Sequence, residues 1–238
     1  MADELAEPSE SGRVYEETHL VGPGDVTPGG RMRLDEIARW LQDVAFGDLV
    51  DAGLRDEGFW ILRRTRLMVE RFPRFAEALH LRTFCTGASA LAAERRTSIS
   101  GSEGAAVEAV AIWVNIDRET RMPARLPDAF WNAYGDATDG RKARGRLRHP
   151  APPEGATARP WTFRHTDLDL AGHVNNSVYW ELVEELLGDD AGDGLDAEIE
   201  YRASVPAGEA TVLAEGERVW AADPAGEVYA SALVRARG

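Results

Sequence analysis

The chain has 238 residues, 44% of them hydrophobic and 29% charged, which is enough apolar material for two modest cores. A formal net charge of −14 disfavours broad contact with nucleic acid, and no apolar run approaches the about 20 residues needed to cross a bilayer. The single cysteine, Cys85, excludes an intrachain disulfide and a cysteine-built zinc site; its strand-like flanks make it a buried, inert thiol.

Residues 1–12 lack apolar periodicity and are expected to form a disordered tail. Their acidic, polar character differs from that of a signal peptide, so the expected location is the cytoplasm. A short strand at 14–21 leads into the Gly/Pro-rich turn GPGDVTPGG. A helix follows in LDEIARWLQDVAFGDLV, where Leu34, Ile37, Ala38, Leu41, Val44, Ala45 and Leu49 recur at helical spacing and Gly53 stands ready to stop it. The segments FWILRRTRLMVERF, ALHLRTFCTG, LAAERRTSIS and VEAVAIWVNID then read as antiparallel strands, onto whose concave side the helix would pack with Trp40, Trp60 and Trp113 in the core.

Residues 135–159, rich in Gly, Ala, Pro and charge, read as a linker between a first domain at 13–134 and a second at 160–238. Arg141, Lys142, Arg144, Arg146 and Arg148 form the best local basic cluster for an acidic partner, although a solvated linker is the better reading of them. Past it the first pattern recurs: a β-like WTFRHTD, the turn LDLAG, the helix NSVYWELVEELL ending at Gly188, then AEIEYRASV, ATVLAEGERVW and VYASALVRA. This second set is short, so one of its strands is expected to be merged or missing. A constant offset lays Asp25 on Asp167, Gly30 on Gly172, Arg31 on His173 and Arg33 on Asn175, which supports internal duplication. Only the second copy carries the polar cluster; the first half would supply substrate cavity and scaffold.

That cluster, HTDLDLAGHVNN at 165–176, gathers two carboxylates, two imidazoles and two carboxamides at a strand-to-helix junction. Asn175 or Asn176 suits the N-cap, and the free N–H groups beside it could polarise a carbonyl and hold the oxyanion formed on attack. Asp167 and Asp169, two apart, would share a side if the strand ran on, and a carboxylate there could activate water or attack directly. His173 could orient substrate or move a proton. A purely structural junction is the competing reading. A metal site from His165, Asp167, Asp169 and His173 has little support, the acidic run from Asp189 to Glu200 reads as a solvated loop, and no phosphate-binding loop or Gly-x-Ser-x-Gly elbow is present.

From Asp167 to Tyr179 the string D-L-D-x-x-x-H-V-N-N-x-x-Y resembles the signature of the acyl-ACP (acyl carrier protein) thioesterases. LRRTRLMVERFPRFAEALHLRTFCTG and AIWVNIDRETRMPARLP extend the resemblance through most of the chain. It implies an α+β tandem hotdog fold, each half a curled antiparallel sheet wrapped round a long helix, hydrolysing fatty acyl-ACP to free fatty acid and ACP without metal or organic cofactor. By position it puts the catalytic aspartate on Asp169 and the histidine on His173; the turn's own chemistry adds Asn175, Asn176 and Asp167 as groups that hold the oxyanion or position substrate. Plant-type members have an asparagine where Ala171 stands and a glutamate where Ser204 stands. Either Asp169, His173 and the helix N-terminus suffice, or Asp167 or Glu185 compensates, or the chain binds acyl thioesters without rapid turnover. Acyl-CoA is the rival substrate, since a charge of −14 offers no general attraction to acidic ACP. Neither nucleic acid nor membrane is an expected partner, and a homodimer is left open.

Overall fold

The computed structural model describes residues 5–188, 192 and 194–237. The first half contains β1 (Val14–Leu20), α1 (Leu34–Asp51), β2 (Phe59–Arg71), β3 (Ala78–Ala88), β4 (Ala92–Gly101), β5 (Ala106–Ile116) and α2 (Asp128–Thr138). The second contains β6 (Thr157–Phe163), α3 (Tyr179–Leu187), β7 (Gly194–Tyr201), β8 (Gly208–Glu215), β9 (Arg218–Ala222) and β10 (Val228–Arg237). All ten strands join one sheet in the order β1-β3-β4-β5-β2-β7-β10-β9-β8-β6. From either edge inward the order is the same, β1-β3-β4-β5-β2 against β6-β8-β9-β10-β7, and the halves meet where β2 pairs antiparallel with β7. The α+β architecture expected from the sequence is therefore present.

No strand is missing from the second half. The segment ATVLAEGERVW is two strands, β8 and β9, folded back at Glu215 and Arg218 through the two residues Gly216 and Glu217. Gly216 supplies the positive φ (56°) that such a tight hairpin needs. A two-residue turn barely interrupts the apolar alternation, which is why the segment reads as one strand.

α1 buries Leu34, Ile37, Ala38, Leu41, Val44 and Ala45 along one face, each large aliphatic contributing roughly 1.5–3 kcal/mol by leaving water. Its first turn takes no cap from Arg33. Instead the Leu34 N–H donates to Glu184 Oε2 of α3 at 3.0 Å, and Glu184 also pairs with Arg31. α3 is half as long and is anchored by the fully buried Trp180, whose Nε1–H donates to Tyr201 Oη at 3.0 Å. α2 was not foreseen: its apolar stripe, Phe130, Tyr134 and Ala137, is only three turns long between Pro127 and Gly140. It packs on β3 around Cys85 and Ala88, with Ala93 of β4 in the same cluster.

Both segments expected to be loose are tied down. The described part of the tail lies against the first half, Arg96 donating to Ala6 O at 2.9 Å and Glu7 Oε1 at 2.8 Å, and Ser9 Oγ to Asp136 O at 2.8 Å. The expected linker overlaps α2 at its start and β6 at its end, leaving 139–156 without helix or strand. Arg141 Nε donates to Thr86 O (2.7 Å), the His149 N–H to Glu200 Oε2 (2.9 Å) and Trp220 Nε1–H to Pro150 O (2.9 Å), while Lys142, Arg144, Arg146 and Arg148 stay exposed. Of the acidic loop, residues 189–191 and 193 lie outside the described residues. No described helix is long and apolar enough to cross a membrane.

Candidate functional site

Between β6 and α3 the chain makes a short 3-10 turn, His165–Asp167, and then a tight loop closed by the Asp169 N–H donating to His173 O (2.8 Å) and the Gly172 N–H to Asp169 O (2.9 Å). Gly172 is at φ 75°, a conformation that side chains with a Cβ resist. Leu168 and Val174 bridge across the loop, and the Val174 N–H donates to Val205 O (2.8 Å), fastening it to the chain after β7. The exposed Asp169 carboxylate accepts the Ala171 N–H (2.8 Å) and the His173 N–H (3.3 Å) on one oxygen, Oδ1.

Asn175 Oδ1 accepts the Ser177 N–H and the Ser177 hydroxyl, both at 2.9 Å, closing a local turn ahead of α3; the residue that caps the helix is Val178, without a side-chain bond, so neither Asn175 nor Asn176 is the N-cap the sequence suggested. The same oxygen accepts Gln42 Nε2–H at 2.9 Å, so a side chain of α1 reaches from the first half into the turn of the second. Gln42 was missed in the sequence, although its signal is there: it is a polar residue on the Ala38, Ala45, Leu49 stripe. Asn176 is half-buried and its carbonyl accepts Tyr201 Oη–H at 3.2 Å.

The turn stands at one end of a cavity of about 650 Å³ under α1, a volume ordinary for a small-molecule site. Gln42, Ala45 and Leu49 of α1, Trp60, Arg95 and Trp113 of the sheet, and Phe130 and Tyr134 of α2 line it; Asp169, Leu170 and Asn175 complete it from the second half. Trp60 and Trp113, expected in the core, are cavity walls, whereas Trp40 is buried core. Cys85 also lines it, and burial pushes its thiol up to about 11, so it stays protonated. Exposed Phe46 and fully exposed Leu170 lie at the rim.

Several expected site residues do other work or none here. Asp167 is buried and engaged: the Arg164 N–H donates to Oδ2 at 2.7 Å and the Arg164 side chain to Oδ1 at 2.9 Å, so it holds the turn and does not reach the cavity. Glu185 is exposed on α3 and Ser204 is exposed after β7; neither lines the cavity. His173 is half-buried beside Asp169, and its side chain is not part of the cavity wall. Among the described residues, the ligand-type side chains that converge are His149, Glu198 and Glu200, not His165, Asp167, Asp169 and His173. That trio is already partnered: His149 Nε2 lies 3.2 Å from Glu198 Oε1, and Glu200 accepts from the backbone of His149 and from Arg202.

Comparison with known proteins adds two matched segments, 12–134 to the acyl-ACP thioesterase N-terminal domain and 151–217 to the acyl-ACP thioesterase C-terminal domain. An uncharacterized protein of Mycobacterium tuberculosis is 29% identical over 86% of this chain and 83% of its own length. A chloroplastic acyl-[acyl-carrier-protein] hydrolase of Cuphea viscosissima is 23% identical over 93% of this chain, which spans 58% of that protein. Among solved structures, an acyl-ACP thioesterase from Bacteroides thetaiotaomicron superposes with a TM-score of 0.80 at 20% identity, covering 93% of this chain and 98% of that one. The 12:0-ACP thioesterase of Umbellularia californica gives 0.75 at 18%, covering 94% and 98%. The fold is a tandem hotdog.

Proposed function

The chain belongs to the acyl-ACP thioesterase family, and we propose that it hydrolyses a fatty acyl-ACP to free fatty acid and ACP at the turn that carries Asp169. The observation that carries this reading is a carboxylate with one oxygen held by two peptide N–H groups, at the end of a 650 Å³ cavity lined mainly by apolar and aromatic side chains. Residues 13–134 supply the cavity and residues 160–238 the reactive turn, joined through 135–159.

In this reading the acyl chain enters beneath α1 and the thioester carbonyl rests at the α3 entry. Asp169 takes a proton from a water as that water's oxygen bonds to the carbonyl carbon. The Asn176 amide, which has no acceptor among the described residues, is available to the oxyanion. Collapse of the tetrahedral species breaks the C–S bond, and the proton goes to the departing sulfur, with His173 orienting or relaying it. Asn175 acts as a positioning residue, fixed by Gln42 and Ser177.

The test is thiol release from acyl-ACP and acyl-CoA of matched chain length. Wild type should turn over the ACP thioesters and Asp169→Asn should not, with its unfolding temperature kept. Full activity in Asp169→Asn removes the assignment, and preference for CoA reassigns the carrier.

A further inference from the structure

The sheet of the first half has a second hollow, on the face turned away from the reactive cavity. Alternation along the strands separates the two: Trp60 of β2, Trp113 of β5 and Ala93 of β4 line the reactive cavity, and their neighbours Ile61, Val114 and Ala92 line an open groove of about 620 Å³. Ala92, Val114 and Ile61 are register partners, so they make one apolar row across three strands, about 10 Å from end to end at the usual strand spacing. The connecting segment walls one side, its Gly145 lying so close that a Cβ there would sit 3.1 Å from Val114 Cγ2. Ile116 and Pro123, bridged to each other, wall the other.

A cation stands where that row meets the seam between the halves. Arg63 is the extra residue of a β-bulge: Leu62 pairs with Trp113 and Arg64 with Ile112, and Arg63 has no partner on β5. The extra residue keeps Leu62 and Thr65 both on the helix side and puts Arg63 and Arg64 together on the outer face. Arg64 pairs with Glu198 at 3.5 Å. Arg63 is half-buried, donates only a long 3.5 Å bond to Arg202 O, and has no carboxylate within ion-pair reach among the described residues. Glu200, the acid behind it, already accepts the Arg148 and His149 N–H groups and lies 3.4 Å from Arg202 Nη2. Two guanidiniums thus share one carboxylate, and burial together with the Arg202 charge holds the Arg63 pKa below its ordinary value. Exposed Arg121 and Arg144 line the same groove, and among the described residues no carboxylate does, in a chain where 41 acidic side chains outnumber 27 basic ones. Asp117, on the loop that carries Arg121, is turned back to the N–H groups of Glu119 and Thr120.

An apolar trough that ends on a half-buried, under-compensated guanidinium suits an amphiphile with an anionic head. Its tail leaves water on the row from Ala92 to Ile61, which roughly seven or eight carbons span, and its head takes the planar fork of Arg63. A surplus of one charge at this end matches a carboxylate rather than a doubly charged phosphate. We propose that the groove is a second binding site, for a free medium-chain carboxylic acid, with Arg63 holding the head group and Arg121 and Arg144 adding attraction from the surface. The site goes beyond the proposed hydrolysis and does not depend on it, because groove and reactive cavity lie on opposite faces of the sheet.

The experiment compares two ligands of one chain length and different charge. Decanoate and 1-decanol are titrated calorimetrically into the wild-type protein, Arg63→Gln and Ala90→Trp. Ala90 is exposed and lines the groove, so an indole there fills it without entering the core and keeps the test intact should Arg63→Gln fold poorly. Neither residue lines the reactive cavity, so binding there is common to all three proteins and drops out of the comparison. Decanoate should bind with a component that weakens about tenfold or more in each variant, the scale of a charge-assisted pair of hydrogen bonds. That component should also weaken at high salt, and the decanol isotherm should not change between wild type and Arg63→Gln. No decanoate binding, an isotherm unchanged in either variant, an equal loss for decanol in Arg63→Gln, or displacement of decanoate by equimolar inorganic phosphate would overturn the proposal.

Discussion

Thr27 and Asp169 occupy the same place in two turns of one backbone design. In the first half the Thr27 N–H donates to Arg31 O (2.8 Å) and the Gly30 N–H to Thr27 O (2.8 Å); in the second the Asp169 N–H donates to His173 O (2.8 Å) and the Gly172 N–H to Asp169 O (2.9 Å). Gly30 and Gly172 share a φ near 75° (78° and 75°), and the bridges Val26 to Met32 and Leu168 to Val174 are counterparts. Asp25 Oδ2 accepts the Gly22 N–H as Asp167 Oδ2 accepts the Arg164 N–H. Asp25 and Asp167 are thus the structural pair, which is why Asp167 is not spare acid. What differs is the next layer. Arg31 and Arg33 are consumed by Glu184, Asp35 and Glu36, whereas Asp169 faces a cavity. A shared backbone positions the loop, and of the two turns only the second places a carboxylate on the cavity wall.

The halves also divide labour by helix length. α1 runs 18 residues and roofs a cavity that α2 walls, while α3 runs nine and buries its own Tyr179 and Trp180 against Tyr201 of β7. In the proposed reading one half holds the chain of the substrate and the other its reacting end; Gln42 hydrogen-bonds across them.

The sharpest way to break this comparison is to make the same change in both turns. Asp169→Asn should lose roughly 10²–10⁴-fold in turnover, the usual worth of a positioned acid–base group, and Thr27→Asn should leave thiol release near wild type. Comparable losses in both would mean that backbone shape, not the carboxylate, matters. Next in size is Asp48→Ala, which strands Arg95 and Arg13 in the first half; denaturant unfolding should show a loss of about 3–5 kcal/mol. A loss under about 1 kcal/mol would say that the pair is solvated. Glu184→Ala probes the dependence of one half on the other, since it removes the cap of α1 and the partner of Arg31 together. A cost of about 1–2 kcal/mol is expected, seen as a lower thermal midpoint.

The smallest effect concerns the seam. Burial would raise the Glu198 carboxyl, but the hydrogen bond from His149 and the charges of Arg64 and Arg66 outweigh it and hold the group below the usual carboxylate range. A carboxyl depressed on folding stabilises fully above its unfolded value, about 4.3, and loses that contribution as the pH falls through the folded one. Acidification from about pH 5 downward should therefore lower the thermal midpoint of wild type more than that of Glu198→Gln; parallel curves would discard the link.

Much of this was legible in the residues. The 3.6-residue stripe of α1, the strand runs from Phe59 to Ile116 and the glycines that set both turns are local signals, because each follows from side-chain period or from a φ that only glycine takes easily. The constant offset between the turns appears unchanged in their hydrogen bonds. Local signals failed where the decisive contact was remote. Asp167, Asp169 and Glu185 are the same kind of group in the sequence, and they separate only because Arg164 closes on one, the loop turns the second toward a cavity, and α3 points the third outward.

The sequence by itself determined most of the elements, though not α2 or the turn between β8 and β9, together with the duplication and the loop in which chemistry could sit, since these depend on periodicity and backbone preference within a few residues. Tertiary structure alone decided that Gln42 meets Asn175, that Trp60, Arg95, Trp113 and Tyr134 line one cavity, and that the tail and connecting segment are fastened to the sheet. Those outcomes depend on which surfaces are left to face one another once two curled sheets share an edge, and no short window of sequence contains that geometry.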